Sequence, residues 1–92
     1  ETFGMMSKNK RAMTVAEREH VGKVKAMPCA CCGAVGPSEA HEIEQGLWFL
    51  SIPLCASCHR GSLGLHGTKA HMNVRKLTEL TMLDSTIRDL LT

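Results

Sequence analysis

Two pairs of closely spaced cysteines constrain this chain more than any other feature of its sequence. Two residues separate Cys29 from Cys32, and two separate Cys55 from Cys58. A C-x-x-C pair lets two thiolates reach one ion from a tight turn, and two such pairs supply the four soft ligands of a closed tetrahedral zinc site. The sequence therefore predicts structural Zn²⁺ at these four cysteines. Cys31 is left over, and we expect it to be a buried bystander or an exposed thiol.

The size of the chain supports a stabilising metal. It has 92 residues, with one tryptophan and two phenylalanines. A chain this short buries little apolar surface, and apparent zinc-binding energies of about 10 kcal/mol or more exceed what such a core contributes net. We expect Trp48 and Phe49 in this core, with at most one of them facing outward to meet nucleic acid.

The cysteine content also bears on the compartment. The count is odd, the spacing is typical of zinc sites, and the N-terminus does not resemble a secretory leader. We therefore expect a reducing cytoplasm rather than a secreted disulfide scaffold. No apolar run approaches the roughly 18 residues that a membrane helix needs, so we expect no membrane partner.

The N-terminal quarter is rich in basic residues and has no apolar periodicity at its start. We expect residues 1–13 to form a flexible basic arm and residues 14–92 to form a single zinc-binding domain. Such basic stretches fit phosphate contacts, although a solvated tail has the same composition. The arm contributes three candidate nucleic-acid contacts: Lys8, Lys10 and Arg11.

Local patterns predict a helix followed by a hairpin. Thr14 and Glu17 have the spacing of a capping box, which predicts a helix that continues to about residue 26. Short extended segments are expected over 39–43 and 46–52, with Pro53 ending the second segment. The two cysteine pairs would then close the hairpin at both ends.

A short helix is expected to open at about Ala56 and to end among the glycines that follow. From about residue 73 a helical stripe of apolar residues is expected to pack on the core, a partner-binding face being the alternative. Thr78 or Asp84 would cap any break within it. The stripe consists of Val74, Leu77, Leu80, Leu83, Ile87, Leu90 and Leu91.

Three histidines lie in or beside the segment that the zinc site folds together: His41, His59 and His66. Neutral imidazoles that leave a coordination position open suit a catalytic divalent ion, which must also hold a phosphate oxygen or a water. Any one of these histidines alone would more often be structural. Together they predict a second divalent metal, Mg²⁺, Mn²⁺ or Zn²⁺.

The order C-x-x-C, histidine-containing strand, Pro-Leu-C-x-x-C-His resembles the HNH endonucleases. More narrowly, the run from Pro53 to Gly61, followed by Leu63-Gly64-Leu65-His66-Gly67, is similar to the phage recombination-enhancement (Ref-like) nucleases. The resemblance covers about residues 28–67. It implies an α+β fold, a small zinc-stapled ββα-metal (HNH) domain with flanking N- and C-terminal helices, and metal-dependent hydrolysis of DNA phosphodiester bonds with low sequence specificity.

Transfer of the family's roles places His41 on the metal and Glu42 at the general base, where the family commonly has histidine. The alternative register makes His41 the base and leaves Ala40, which cannot ligate, at the metal position. Successive side chains of a strand point to opposite faces, so both residues enter one site only if the strand ends or bulges there. We expect His41 to reach the site, with His59 and His66 as further metal ligands.

The resemblance also implies DNA as a partner, with Arg60 and Lys69 contacting phosphates near the site. A RecA-type recombinase filament is the implied setting, in the host cell cytoplasm if the chain is phage-encoded. The sequence does not specify an oligomeric state.

Two other hypotheses remain from the sequence. The carboxylate at Glu42, and the absence of the family's asparagine near Leu50 or Ser51, favour a non-catalytic zinc-ribbon module that binds DNA or a protein. A thiol redox role for Cys29 and Cys32 is the third hypothesis, but the chain lacks the thioredoxin-like βαβ setting of such sites.

Overall fold

The computed structural model describes residues 12–92, and the predicted DNA contacts Lys8, Lys10 and Arg11 lie outside that range. The described part is a small α+β structure with four helices and one two-stranded sheet. None of the helices within it has the length and apolar character needed to cross a membrane. The elements in chain order are α1 (Val15–Lys25), β1 (Glu39–Glu42), β2 (Ser51–Leu54), α2 (Ala56–Arg60), α3 (Ala70–Val74) and α4 (Glu79–Leu91).

Helix α1 begins where the capping box predicts. The backbone N–H of Thr14 donates to Glu17 Oε1 at 2.8 Å, and the backbone N–H of Glu17 donates to Thr14 Oγ1 at 3.1 Å. This pair satisfies two amides that lack partners within the helix. Val21 and Val24 are buried, and α1 packs against both strands.

The hairpin is antiparallel and places His41 opposite Ile52. The predicted extended segment 46–52 is wrong over residues 46–50, which form turns and bends in which Leu50 N–H donates to Leu47 O at 3.0 Å, and right only at 51–52, the start of β2. Pro53 does not end β2 but lies inside it, opposite Ala40. A two-stranded sheet has only edge strands, so the missing N–H of a proline can face away from the partner strand.

The core lies between the sheet and the C-terminal helices. Strand β2 is buried along its whole length, because α1 and α4 both pack against it. The largest fully buried aliphatic side chains are those of Ile52, Leu54, Met72 and Met82. Of the two aromatic residues expected in the core, Phe49 is the one that faces outward, at 50 % exposure, and Trp48 is half-buried.

The C-terminal apolar stripe is split between two helices. Residue Lys76 has a positive φ of 58°, and α4 restarts after Thr78, whose Oγ1 accepts the N–H of Thr81 at 3.1 Å. Of the two proposed caps, Thr78 is therefore the one that is used. Leu83 is buried, but four members of the stripe are exposed, which corrects the expectation that the stripe is core: Val74 is 77 %, Leu80 68 %, Ile87 39 % and Leu91 81 % exposed.

Candidate metal centres

The structure brings together the four predicted cysteines. The sulfur atoms of Cys29, Cys32, Cys55 and Cys58 all lie within 4.8 Å of one another. The Cys32 and Cys55 sulfurs are 3.8 Å apart. Thiolates about 2.3 Å from a tetrahedral zinc are separated by roughly 3.8 Å, whereas a disulfide would bring them to about 2.05 Å. The cluster could therefore hold a zinc ion. Cys31 is buried outside it.

Backbone N–H groups point at the sulfurs of this cluster. The amides of Cys31 and Cys32 each donate to Cys29 Sγ at 3.4 Å, and the amide of Cys58 donates to Cys55 Sγ at 3.4 Å. Burial acts to raise the pKa of Cys29, but the neighbouring backbone donors outweigh it and lower this pKa to about 7. Such donors favour the thiolate, which is the form that binds metal.

Cys58 is the most buried sulfur of the four, at 1 % residue exposure. Burial raises the pKa of its thiol, since a thiolate in this position needs compensating charge or hydrogen bonds. Its Sγ lies 3.5 Å from Nδ1 of His71, on α3. The sequence did not single out His71, because no ligand spacing connects it to the cysteines.

The three predicted histidines also converge. One ring nitrogen of each of His41, His59 and His66 lies within 4.8 Å of those of the other two. Nε2 of His59 and Nε2 of His66 are 3.2 Å apart. Two imidazole nitrogens about 2.0–2.1 Å from one tetrahedral zinc are roughly 3.3 Å apart, so this pair is already at the spacing of a shared ion.

Close backbone packing after α2 brings His66 to His59. The N–H of Leu65 donates to Cys58 O at 2.7 Å and that of His66 to His59 O at 3.2 Å, so the chain folds back along the helix. A Cβ at Gly64 would lie 2.5 Å from the carbonyl oxygens of both Ser57 and Cys58. Only glycine allows this approach, which explains why the glycines precede and follow the histidine.

An acidic residue orients His59. Glu39 Oε1 is 2.7 Å from Nδ1 of His59, and Arg60 Nε donates to the two oxygens of the same carboxylate at 2.9 and 3.0 Å. Hydrogen bonds from Arg60, and then from His59, lower the pKa of Glu39 to about 2. The ionised carboxylate can only accept, so Nδ1 is the donor in this contact, and in a neutral ring Nε2 is then the nitrogen free to bind metal.

His41 is the buried member of the cluster, at 9 % exposure. Burial lowers its pKa, with the carboxylate of Glu79 acting in the opposite direction. Nε2 of His41 lies 3.3 Å from Oε2 of Glu79, the first residue of α4. A lowered pKa favours the neutral imidazole, which is the form that binds metal.

A cavity of about 290 Å³ adjoins the histidines. It is lined by Ala40, His41, Glu42, Gln45, His59 and His66. Strand β1 ends at Glu42, and both His41 and Glu42 border the cavity at this point. Oε1 of Glu42 accepts the N–H of Gly46 at 2.9 Å, which closes the turn after the strand. Sequence reasoning missed Gln45, because a single glutamine in a turn carries no motif.

The two proposed phosphate contacts are not part of this lining. The Arg60 side chain is 64 % exposed although its guanidinium binds Glu39, and Lys69 is exposed at the start of α3. Both remain predictions as DNA contacts.

No protein-family model, no curated protein and no solved structure matches the chain.

Proposed function

We propose that the chain is an HNH-type DNA endonuclease, with zinc at the four cysteines and a catalytic divalent cation at the three histidines. The observation that carries the proposal is the convergence of three imidazoles beside an open cavity. A site that closed around four protein ligands would be structural, whereas three ligands leave positions for substrate and water.

The ligand set fits a divalent cation. The Glu39–His59 contact resembles the carboxylate–histidine pairs that fix ring orientation at metal sites, and the His59–His66 nitrogen spacing of 3.2 Å matches a shared ion. Mg²⁺, which prefers oxygen ligands, fits three imidazoles less well than Mn²⁺ or Zn²⁺.

The side chains around the cavity would have different roles in hydrolysis. A bound cation supplies positive charge to the scissile phosphate and to the leaving oxygen. His41, His59 and His66 hold that cation, which leaves Glu42 as the group that can take a proton from water. One oxygen of Glu42 binds the Gly46 amide, and the other has no hydrogen bond to a described residue. This geometry favours the register with His41 on the metal and Glu42 as base.

The cavity beside the histidines supports the proposed substrate class. It is open to solvent, which suits access by a backbone ester of a polymer. DNA is the proposed substrate, with Arg60 and Lys69 as candidate phosphate contacts. The RecA-type recombinase filament and the cytoplasmic setting, in a host cell if the chain is phage-encoded, are part of the proposal through the resemblance alone.

Plasmid nicking by the purified full chain tests the proposal. Protein loaded with one equivalent of Zn²⁺ per chain is incubated with supercoiled plasmid and Mg²⁺, Mn²⁺, Co²⁺ or Zn²⁺, beside the variants His66→Ala and Glu42→Gln. Metal-dependent nicking is expected, with loss of activity in H66A. The general-base role predicts a decrease of about 10²- to 10⁴-fold in E42Q.

His20→Gln is the matched control, since His20 lies on α1 against the ring of Phe49 and is not part of the cluster. It should nick at the wild-type rate. Cleavage that needs no added metal, or that persists in H66A, would contradict the proposal.

A non-catalytic zinc-ribbon module is the second candidate. The observation in its favour is that Glu42 already serves a structural role in the turn through Gly46. Such a module would bind one zinc ion per chain and no second divalent cation. It would also bind DNA or a protein without nicking plasmid in any metal.

A further inference from the structure

The histidine cluster has a contact with the C-terminal helix, outside the segment of residues 28–67. Oε2 of Glu79 lies 3.3 Å from Nε2 of His41. Glu79 is the first residue of α4, and its side chain is 38 % exposed, whereas that of His41 is 10 % exposed. The contact therefore joins a buried ring on β1 to a carboxylate at the edge of the cluster.

The position of Glu79 is fixed by its own helix. Thr78 and Thr81 cap the first turn of α4, with the N–H of Thr78 donating to Thr81 Oγ1 at 2.9 Å. Met82 and Leu83, in the next turn, are buried in the core. A carboxylate in the first turn of a helix is also favoured by the helix dipole. The glutamate therefore approaches His41 from a packed and capped element.

The contact favours one tautomer of His41. A neutral imidazole has one N–H and one lone pair, and an ionised carboxylate can only accept a hydrogen bond. An N–H at Nε2 that donates to Glu79 leaves the lone pair on Nδ1. In His59 the two ring nitrogens have the opposite roles: Nδ1 contacts the carboxylate of Glu39 at 2.7 Å, and Nε2 faces the cluster.

We propose that Glu79 is a positioning residue that holds the Nε2 proton of His41, so that Nδ1 presents its lone pair to the cation, and that α4 thereby completes the histidine site. This inference rests on the proposed function, since it concerns the same cation. It implies that a fragment ending before α4 would bind the second ion weakly. The segment that resembles HNH nucleases is then not the whole site.

Cation binding tests the inference without any cleavage assay. The full chain, loaded with one equivalent of Zn²⁺ for the cysteine cluster, is titrated with Co²⁺ by calorimetry, and the absence of a sulfur-to-cobalt charge-transfer band shows that the cysteine cluster keeps its zinc. Outer carboxylates of metal-bound histidines contribute about 10- to 100-fold in metal affinity, and this is the loss expected in Glu79→Ala. Glu79→Gln keeps an acceptor oxygen without the charge, so a loss of only about fivefold is expected.

Asp89→Ala is the matched control, because Asp89 is an exposed acidic residue on the same helix. It should bind Co²⁺ as the wild type does. Affinity in E79A within about threefold of wild type would overturn the inference. Equal losses in E79Q and E79A would also overturn it, since they would make Glu79 a direct ligand.

A second readout does not depend on any variant. In the chain loaded with Zn²⁺ at both clusters, long-range ¹H–¹⁵N spectra show which ring nitrogen of His41 is bound to metal. Nδ1 is expected, and coordination through Nε2 would overturn the inference. A wild-type chain that binds no ion beyond the cysteine-bound zinc would overturn the proposed function and the inference together, whereas normal binding in E79A overturns the inference alone.

Discussion

The cysteine cluster and the histidine cluster are neighbours that are built in different ways. The sulfurs come from two C-x-x-C segments, and backbone amides within the same segments donate to two of them, Cys29 and Cys55. The histidines come from a strand, a helix and a loop, and two of them contact side-chain carboxylates that are distant in sequence. The first cluster is therefore specified locally, and the second depends on the fold already being in place.

Helix α2 connects the two clusters. Cys58 and His59 are adjacent in sequence, yet one belongs to the sulfur cluster and the other to the imidazole cluster. Consecutive residues of a helix point about 100° apart, so one short helix can serve two centres. We infer that zinc at the cysteines holds the helix that presents His59. Loss of the first ion should then abolish the second site, but loss of the second ion should leave the first intact.

Removal of zinc should have the largest effect. Structural zinc contributes about 10 kcal/mol or more in small domains, so the metal-free chain should lose its cooperative thermal transition. Circular dichroism during chelation and zinc re-addition measures this. Cys58→Ala should behave like the metal-free chain, while Cys31→Ala should keep zinc and fold. A metal-free chain that melts as the zinc-loaded one does would break the comparison.

Gly64→Ala should lower the free energy of unfolding by less than zinc removal does, but it should affect both clusters. The added Cβ would approach two carbonyl oxygens of α2 at 2.5 Å, and relieving such overpacking costs about 1–3 kcal/mol of unfolding free energy. Thermal denaturation of the zinc-loaded variant measures the loss, and Co²⁺ titration measures the displacement of His66. Gly22→Ala is the control. Nothing lies within 4 Å of a Cβ there, and its position within α1 predicts a gain of about 0.5–1 kcal/mol. Equal stability of G64A and wild type would show that the loop is not held as described.

Glu39→Ala tests whether the histidine cluster depends on side-chain carboxylates while the cysteine cluster depends on backbone amides. The affinity of the histidine cluster for its ion should fall by about 10- to 100-fold, while zinc at the cysteines is retained, because only the imidazole cluster depends on this carboxylate. Co²⁺ titration of protein loaded with one equivalent of zinc measures the affinity for the second ion, and metal analysis measures the zinc that is retained. Glu44→Ala, an exposed glutamate in the turn after β1, should leave both unchanged. Loss of zinc in E39A would show that the clusters are not separable.

His66→Ala should have the smallest effect on stability. His66 is exposed, and substitutions of exposed residues usually change the unfolding free energy by less than about 0.5 kcal/mol. With one equivalent of zinc per chain, when neither protein has an ion at the histidines, the variant should therefore melt close to wild type. A decrease in melting temperature comparable with that of C58A would contradict the division into a structural and a functional cluster.

The features that sequence predicted best are those that depend on spacing along the chain. Two C-x-x-C pairs identified the four sulfurs that cluster, and the capping box at Thr14 located the start of α1. Both are short-range patterns with direct physical causes. The three histidines were found because they border the same cysteine-bounded segment.

The features that it missed depend on contacts between distant elements. Glu39 and Glu79 look like ordinary surface acids until the strand and α4 bring them to His59 and His41. The exposure of Val74 and Leu80 was also missed, because periodicity shows that an apolar face exists and not whether anything covers it. The length of β2 was misjudged because local turn hydrogen bonds competed with strand pairing over residues 47–50.

Native mass spectrometry of the full chain saturated with zinc tests the two-centre account most directly. We expect two ions bound to each wild-type chain and one ion bound to each His66→Ala chain. The His66→Ala chain should still be folded. A wild-type chain that holds one ion at saturation, or an H66A chain that holds two, would contradict the assignment of the three histidines to a second metal.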